Sequence, residues 1–359
     1  MTHIGGFKSQ FGRPLPIQPR FDPAIDMTTT QRLGLLAIVL AGAGLLIASR
    51  LVDFARLLPV EPRGAQLVEK PVTNLHVLTP ILIDTDIGTD IDDAFALALE
   101  IRSPELELLG VTTVSGDTQA RARLAAKLLW DSGAQFVPVA AGRPGKPLPE
   151  DQTRFADGFS SPQVQAEPAV ELLCRQIEQR PGKITLDAIG PLTNVAALIT
   201  EYPATAHKLK RIVLMGGSIA HGYGSSLKPA AEYNIVSDPK AAQTVFTSGI
   251  PILMVPLDAT AMLELDPANR HRIFTHLTTL TNELTILYHL WNNETPILFD
   301  PMTIAMLIDP SICETKELYV EVDDQGFTRV VPGKPPNATV ALKADTQKFF
   351  DLYLSRVAP

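Results

Sequence analysis

Cysteine is almost missing. The 359-residue chain has two, Cys174 and Cys313, far apart and in neither a CxxC pair nor a Cys/His cluster. That argues against a zinc site. Two buried free thiols are expected, with a bridge between them as the alternative. A basic excess is missing too: 39 acidic residues against 31 Lys and Arg give a net charge of −8. No nucleic-acid footprint follows from scattered cations, so a neutral small molecule or a cation is the expected partner. Aromatic residues are scarce, at 6%, yet 45% of the chain is hydrophobic. That suffices for the core of one large domain or two small ones.

Long apolar runs are absent with one exception. Leu33 to Ser49, "LGLLAIVLAGAGLLIAS", has no charge and stands between Arg32 and Arg50. Its 17 residues match the short end of a bilayer span, roughly 17–25. A secretory signal, whose apolar part is usually about 7–15 residues, is the rival, and Met27 is an alternative start that would favour it. The expectation is a protein anchored to a membrane through residues 33–49, with secretion or periplasmic release after signal cleavage as the alternative. Residues 1–32 are polar and read as a disordered tail. Residues 50–79, with Pro59, Pro62 and Pro71, read as a linker. Residues 80–359 are expected to form the folded, functional domain.

From Pro80 strand-like and helix-like runs alternate. "PILIDTD" is followed by helical "DDAFALALEIRS", "LELLGVTTVSGD" by "TQARARLAAKLLWDSG", and the pattern continues through "PILMVPLDA". Aliphatic strands alternating with helices predict an α/β fold, an open and mostly parallel sheet with helices on both faces. "ELYVEVDDQGFTRVVPG" reads as a C-terminal hairpin and "ADTQKFFDLYLSRV" as a last helix. Sites in such sheets form at the carboxyl ends of the strands. Four polar clusters fall there: Asp84 to Asp93, "SGD" at 115–117, "GPLTN" at 190–194 and "MGGS" at 215–218.

"DTDIGTDIDDA", Asp84 to Ala94, has five aspartates in eleven residues. A helix cap and a solvated loop account for one or two, not five at the mouth of a buried strand. An EF-hand loop fails, with Gly88 at the fifth position and Phe95 at the twelfth. A haloacid-dehalogenase-type pair, Asp84 as nucleophile and Asp86 as acid, lacks a convincing lysine and second acidic pair downstream.

From about residue 80 onward the chain resembles the nucleoside hydrolases, the inosine–uridine-preferring N-ribohydrolases. Their Asp-rich signature, close to DxDxGxDDA, is present with two extra residues. Six more blocks follow in order: "VTTVSGD", "AIGPLTNVAAL", "VLMGG", "AAEYNIVSDPKAA", "VPLDAT" and "FDP" at 299–301. The resemblance implies a Rossmann-type core and one Ca²⁺, held by Asp86, Asp93, Asp300 and the main-chain carbonyl of Ile189. It implies Asp86 as general base and Asp92 on the ribose hydroxyls. It places Glu232 and Asn234 on the 5′ side of the sugar and Met215 beneath it. It also implies a homo-oligomer, dimer or tetramer. The chemistry agrees. Calcium takes six to eight oxygens, and breaking an N-glycosidic bond builds positive charge on the ribosyl ring, which carboxylates stabilise.

The chain departs from the family in the half that would meet the base. Phe299 stands where a histidine commonly helps protonate the leaving group, and can stack on a base instead. A second family histidine falls near Arg154, a third position is Ala261, and asparagines of the family are replaced by Ser226, in the ribose-binding stretch, and by Asp117. His221 and Tyr223 lie on a glycine-rich loop. Two functions follow: calcium-dependent hydrolysis of a ribonucleoside to ribose and base, or a membrane-tethered nucleoside-binding protein without turnover.

Overall fold

The computed structural model describes residues 78–149 and 151–359. The tail at 1–32, the apolar run at 33–49 and the linker up to residue 77 lie outside the described residues. Among those described, no helix is long and apolar enough to cross a membrane.

The described residues contain ten strands: β1 (Thr79–Thr85), β2 (Leu106–Thr113), β3 (Val139–Ala141), β4 (Thr185–Ala188), β5 (Arg211–Met215), β6 (Ile252–Val255), β7 (Cys313–Leu318), β8 (Val320–Val322), β9 (Thr328–Val330) and β10 (Ala338–Ala344). Eight of them make one sheet in the order β3-β2-β1-β4-β5-β6-β10-β7. All neighbours in it are parallel except the β10–β7 edge pair. Helices cover both faces, as buried aliphatic strands require. One face packs Ile83, Phe95, Leu124, Leu284, Met302 and Phe349 together. The other packs Leu186, Val195, Ile212, Val245 and Phe246. The last helix, Thr346–Val357, closes the first face, where the Tyr353 hydroxyl donates to the Phe95 carbonyl at 3.0 Å.

The chain leaves β1 toward β2 on one side and returns to β4 on the other. The reversal opens a crevice at the carboxyl ends of β1 and β4, where ligands bind in open α/β sheets.

Three expectations need correction. The hairpin is real but smaller, Val320–Val322 against Thr328–Val330. Glu317 and Leu318 belong instead to β7, an edge strand of the main sheet, and β10 fills a place beside β6 that no periodic run announced. Both cysteines are free thiols, but only Cys313 is buried; Cys174 is half-exposed. Thr79, the last residue of the expected linker, already opens β1.

Candidate active site

β1 delivers its last residues, Ile81 to Thr85, fully buried between its two parallel neighbours. Asp84 stays behind the crevice. Its Oδ1 accepts from the Thr112 hydroxyl at 2.6 Å and from Asn194 Nδ2 at 2.8 Å, and burial pushes its carboxyl up to about 7. Asn194 also donates to the Thr113 carbonyl, so one amide ties the ends of β1 and β2 together.

Beyond Thr85 the chain turns sharply through Gly88, whose φ of +119° is one that a side chain rarely adopts. Arg121, completely buried, braces this turn. Its guanidinium donates to the carbonyls of Asp86 and Ile87 and to the Thr89 hydroxyl, and its Nε to the Ser115 carbonyl. An arginine spent on backbone carbonyls fixes the loop and places a positive charge behind the aspartates.

The helix Asp92–Ile101 starts with Asp92 and Asp93 in its first turn, where the helix dipole favours negative charge. The Thr85 hydroxyl donates to Asp93 Oδ1 at 2.5 Å. Asp300 precedes the helix Pro301–Ile308 and donates its own N–H to Asp92 Oδ2 at 3.3 Å. Asp92, Asp93 and Asp300 are all buried, and each presents a carboxylate oxygen within 4.8 Å of the others'. Burial and mutual repulsion hold all three carboxyls well above their ordinary range. Such crowding favours either shared protons or a cation with oxygen ligands.

These three open into a cavity of about 160 Å³, lined further by Asp86, Thr89, Asp90, Ile189, Met215, Tyr223, Glu232, Tyr233, Asn234 and Phe299. Gly190 lets β4 come this close. A Cβ there would meet Asp86 Oδ1 and the Asp86 nitrogen at 2.9 Å. Glu232 accepts backbone N–H groups from Gly217 and Asn234 at 2.9 Å and from Ile235 at 3.2 Å. Burial still pushes its carboxyl up to about 7, against those three donors. Asn234 Nδ2 donates to the carbonyls of Ile189 and Met215, both at 3.1 Å, joining the ends of β4 and β5 across the cavity floor.

The rim is aromatic. Tyr223 and Phe299 meet edge to face, with centroids 6.1 Å apart and planes at 84°. The Tyr223 hydroxyl accepts the Tyr233 N–H at 2.9 Å, and burial pushes both phenols up. Asp90 completes the rim, its carboxylate accepting the N–H of Ile91 at 2.7 Å.

Of the residues expected to bind metal or substrate, Asp86, Asp92, Asp93, Ile189, Met215, Glu232, Asn234, Phe299 and Asp300 converge on this cavity. Ser226 does not. It is exposed, and its hydroxyl donates to the Lys228 carbonyl inside its own loop. The carboxylate trio contains Asp92, the expected ribose contact, and not Asp86, an expected ligand. Asp117 caps the helix Thr118–Asp131 by accepting from Ala120, away from the cavity. His221 lies outside as well, its Nδ1 3.3 Å from Asp258 Oδ1, and Arg154 is exposed beside Asp151. Sequence reasoning passed over Thr89, Tyr233 and Arg121. Arg121 had a signal: it shares the apolar stripe of its helix with Leu124, Ala125 and Leu128, where a charge needs a buried partner.

A family model, inosine–uridine preferring nucleoside hydrolase, matches residues 81–351. The pyrimidine-specific ribonucleoside hydrolase RihA of Klebsiella pneumoniae is 37% identical over 311 residues, covering 78% of this chain and 98% of that one. The enzyme of the same name from Citrobacter koseri is 36% identical over the same shares. Among solved structures, a plant nucleoside hydrolase (PpNRh1) superposes with a TM-score of 0.70 at 27% identity, over 78% of this chain and 99% of that one. An inosine–uridine preferring nucleoside hydrolase from Bacillus anthracis shares the fold, with a TM-score of 0.66 at 24% identity over 78% and 99%. An acidic cavity at the switch point of a parallel sheet, a family match across nearly all of the described residues and relatives matched almost end to end place this chain in the inosine–uridine preferring nucleoside hydrolase family, as a ribonucleoside hydrolase.

Proposed function

We propose that residues 79–359 catalyse the calcium-dependent hydrolysis of a ribonucleoside to ribose and free base, with Asp86 as general base. The observation that carries this reading is the burial of Asp92, Asp93 and Asp300 within 4.8 Å of one another in a cavity that also holds Asp86, Glu232 and Asn234. Among the described residues no Lys, Arg or His side chain lines that cavity. A hard, oxygen-seeking dication suits such a donor set. Asp86, Asp93, Asp300 and the carbonyl of Ile189 would hold it, and Asp92 lies close enough to compete for that role. Bound calcium would neutralise the carboxylates and polarise an attacking water.

The protein's own groups do the rest. Asp86 takes the proton of the water as its oxygen attacks the anomeric carbon. Asp92 accepts from the ribose hydroxyls. Glu232, oriented by three backbone N–H groups, and Asn234, anchored across β4 and β5, position the 5′ side of the sugar. The carboxylates face the positive charge that develops on the ribosyl ring, and stabilise the transition state more than the neutral nucleoside. The curated relatives named pyrimidine-specific make uridine and cytidine the first substrates to test.

The test is ribose release from a panel of nucleosides, measured as reducing sugar. Release that is lost with a chelator and restored by calcium in preference to zinc supports the reading. Saturable nucleoside binding with no ribose released would mean a binding protein instead. The apolar run at 33–49 extends the proposal to membrane attachment. Deleting residues 1–56 should then move the protein from the membrane fraction to the supernatant with kcat unchanged. Light scattering of that truncated protein tests the dimer or tetramer.

A further inference from the structure

We propose that the rim of this cavity selects N-ribosides whose base carries a positive charge, pyridinium ribosides foremost, over neutral nucleosides. The inference rests on the ribohydrolase reading above and names the leaving group that the rim suits.

Three observations converge. The first is the sign of the charge. Six carboxylates line one cavity: Asp86, Asp90, Asp92, Asp93, Glu232 and Asp300. No cationic side chain lines it among the described residues, and one divalent ion offsets only part of that charge. Five of the six are buried, whereas Asp90 lines the same cavity from an exposed position. It is not one of the carboxylate trio, and with the family signature anchored on "DDA" at 92–94 it falls in the two extra residues.

The second is the aromatic wall. Phe299 and Tyr223 stand edge to face, and Tyr233 lines the same opening. A flat cation is attracted to such rings electrostatically, beyond what a neutral ring gains from stacking.

The third is that no histidine lines the cavity among the described residues, so the imidazole that the family resemblance places beside the leaving group is missing. Phe299 occupies the position at the N-terminal edge of the helix Pro301–Ile308, and His221 points at Asp258 outside the cavity. A neutral pyrimidine or purine must be protonated as it departs, or leave as an anion into a field of carboxylates. A pyridinium base needs neither. The glycosidic bond breaks with both electrons going to the ring nitrogen, which becomes neutral. The water oxygen bonds to the anomeric carbon, and its proton passes to Asp86 and on to solvent. Ribose, a neutral pyridine and one proton result.

Asp90 then acts on binding more than on bond breaking. Positive charge moves off the base and onto the ribosyl ring as the bond opens, so attraction at the rim is strongest in the ground state. It lowers KM without raising kcat.

The experiment compares nicotinamide riboside, uridine and para-nitrophenyl riboside on the calcium-loaded full chain. The nitrophenyl compound is neutral but needs no acid, and so controls for leaving-group ease. The expected result is a KM for nicotinamide riboside below that of the nitrophenyl compound. That difference should fade as ionic strength rises from about 0.01 M to about 1 M, which shortens screening from about 30 Å to about 3 Å. Asp90→Asn should raise the nicotinamide riboside KM by about 2–5-fold, the size of an exposed ion pair, with a smaller change for uridine. Equal, salt-independent KM values for the two acid-free substrates, or an Asp90→Asn variant with unaltered selectivity, would overturn the proposal while leaving the hydrolase reading intact. So would a loss of kcat for uridine alone, which would make Asp90 a proton donor. Cleavage of none of the three compounds would sink the ribohydrolase reading itself.

Discussion

Asp93 and Phe299 face the same cavity but are held in different ways. Asp93 sits at a helix N-terminus, 3% exposed, with a hydroxyl donor at 2.5 Å and Arg121 behind its loop. Phe299 is half-exposed, and its side chain meets one aromatic partner edge to face. The same division runs through the whole site. The floor is made of groups at the ends of β1, β4 and β5 and at two helix N-termini, and hydrogen bonds tie these elements together, from Asn234 to the carbonyls of Ile189 and Met215, from Thr85 to Asp93 and from the Asp300 N–H to Asp92. The rim is made of Asp90, Tyr223 and Phe299 from loops and Tyr233 from the start of a short helix, none of them on a strand of the sheet. Cores resist change because every neighbour must shift with it, whereas surface loops tolerate it. On the proposed function, a floor built for ribose can therefore stay constant while the rim is rebuilt for a different base.

The largest effect should come from breaking the floor. Asp93→Asn and Asp300→Asn each remove a charged ligand while keeping the shape of the side chain. Calorimetric titration should show calcium affinity lost, and kcat/KM should fall by more than about 10³-fold, the scale of several kcal/mol of charge stabilisation. Wild-type affinity in either variant would mean that the floor is not the metal site.

A rim substitution should do less, and in the opposite direction. Phe299→His places an imidazole where the base departs. General acid catalysis is typically worth about 10²–10⁴-fold, so uridine and inosine turnover should rise by about 10²-fold. Turnover of para-nitrophenyl riboside, whose leaving group needs no proton, should change by less than about 3-fold. A wild-type enzyme that already cleaves inosine as fast as the activated riboside, with a bell-shaped pH profile, would show that the rim already holds an acid.

The same division governs what the sequence discloses. The floor was legible because it combines an apolar strand, an Asp ladder and a helix start, and because strand ends converge in any parallel sheet. The tertiary support of that floor was harder to see. Arg121 and Asn194 act on residues distant in sequence, and nothing local says which carbonyl or carboxylate they meet. The rim was legible least. Ser226 was assigned by its register in a glycine-rich loop, where no periodicity fixes which side chain turns inward, and it turned outward. The C-terminal edge failed for a related reason. β7 is an edge strand with four consecutive exposed residues, so it lacks the alternation that marks a strand, and β10 follows a proline-rich segment that reads as a tail.

Burial alone does not make a carboxylate functional, and Glu100 separates the two. It lies at the far end of the helix that begins with Asp92, 4% exposed, and burial pushes its carboxyl up to about 8. The native state therefore holds a proton that the unfolded chain releases near pH 4.5. The stability from that proton is full below about pH 4.5 and is lost as pH rises through 8. The total is on the order of 5 kcal/mol. Glu100→Gln should raise the unfolding midpoint at pH 9, have little effect at pH 5 and leave kcat/KM unaltered. If activity fell with it, burial and function would not be separable on this helix.

The smallest effect tests the outer limit of the site. Ser226 is expected from the resemblance to replace an asparagine of the ribose-binding stretch, yet it is exposed and its hydroxyl is engaged with Lys228 in its own loop. On this geometry it touches neither the sugar nor the floor. Ser226→Ala should change kcat/KM for every riboside by less than about 2-fold, since surface substitutions away from special contacts usually cost within about 0.5 kcal/mol. The loop that carries it also carries Tyr223, whose hydroxyl accepts the Tyr233 N–H at 2.9 Å. A large rise in KM would therefore mean that the loop swings inward over bound ribose and brings Ser226 with it. The rim would then belong to the ribose site as well as to the base site, and the division between a fixed floor and a replaceable rim would fail at this loop. Deuterium exchange of residues 219–230 with and without ribose distinguishes the two cases: protection on binding marks closure, and unchanged exchange leaves Ser226 outside.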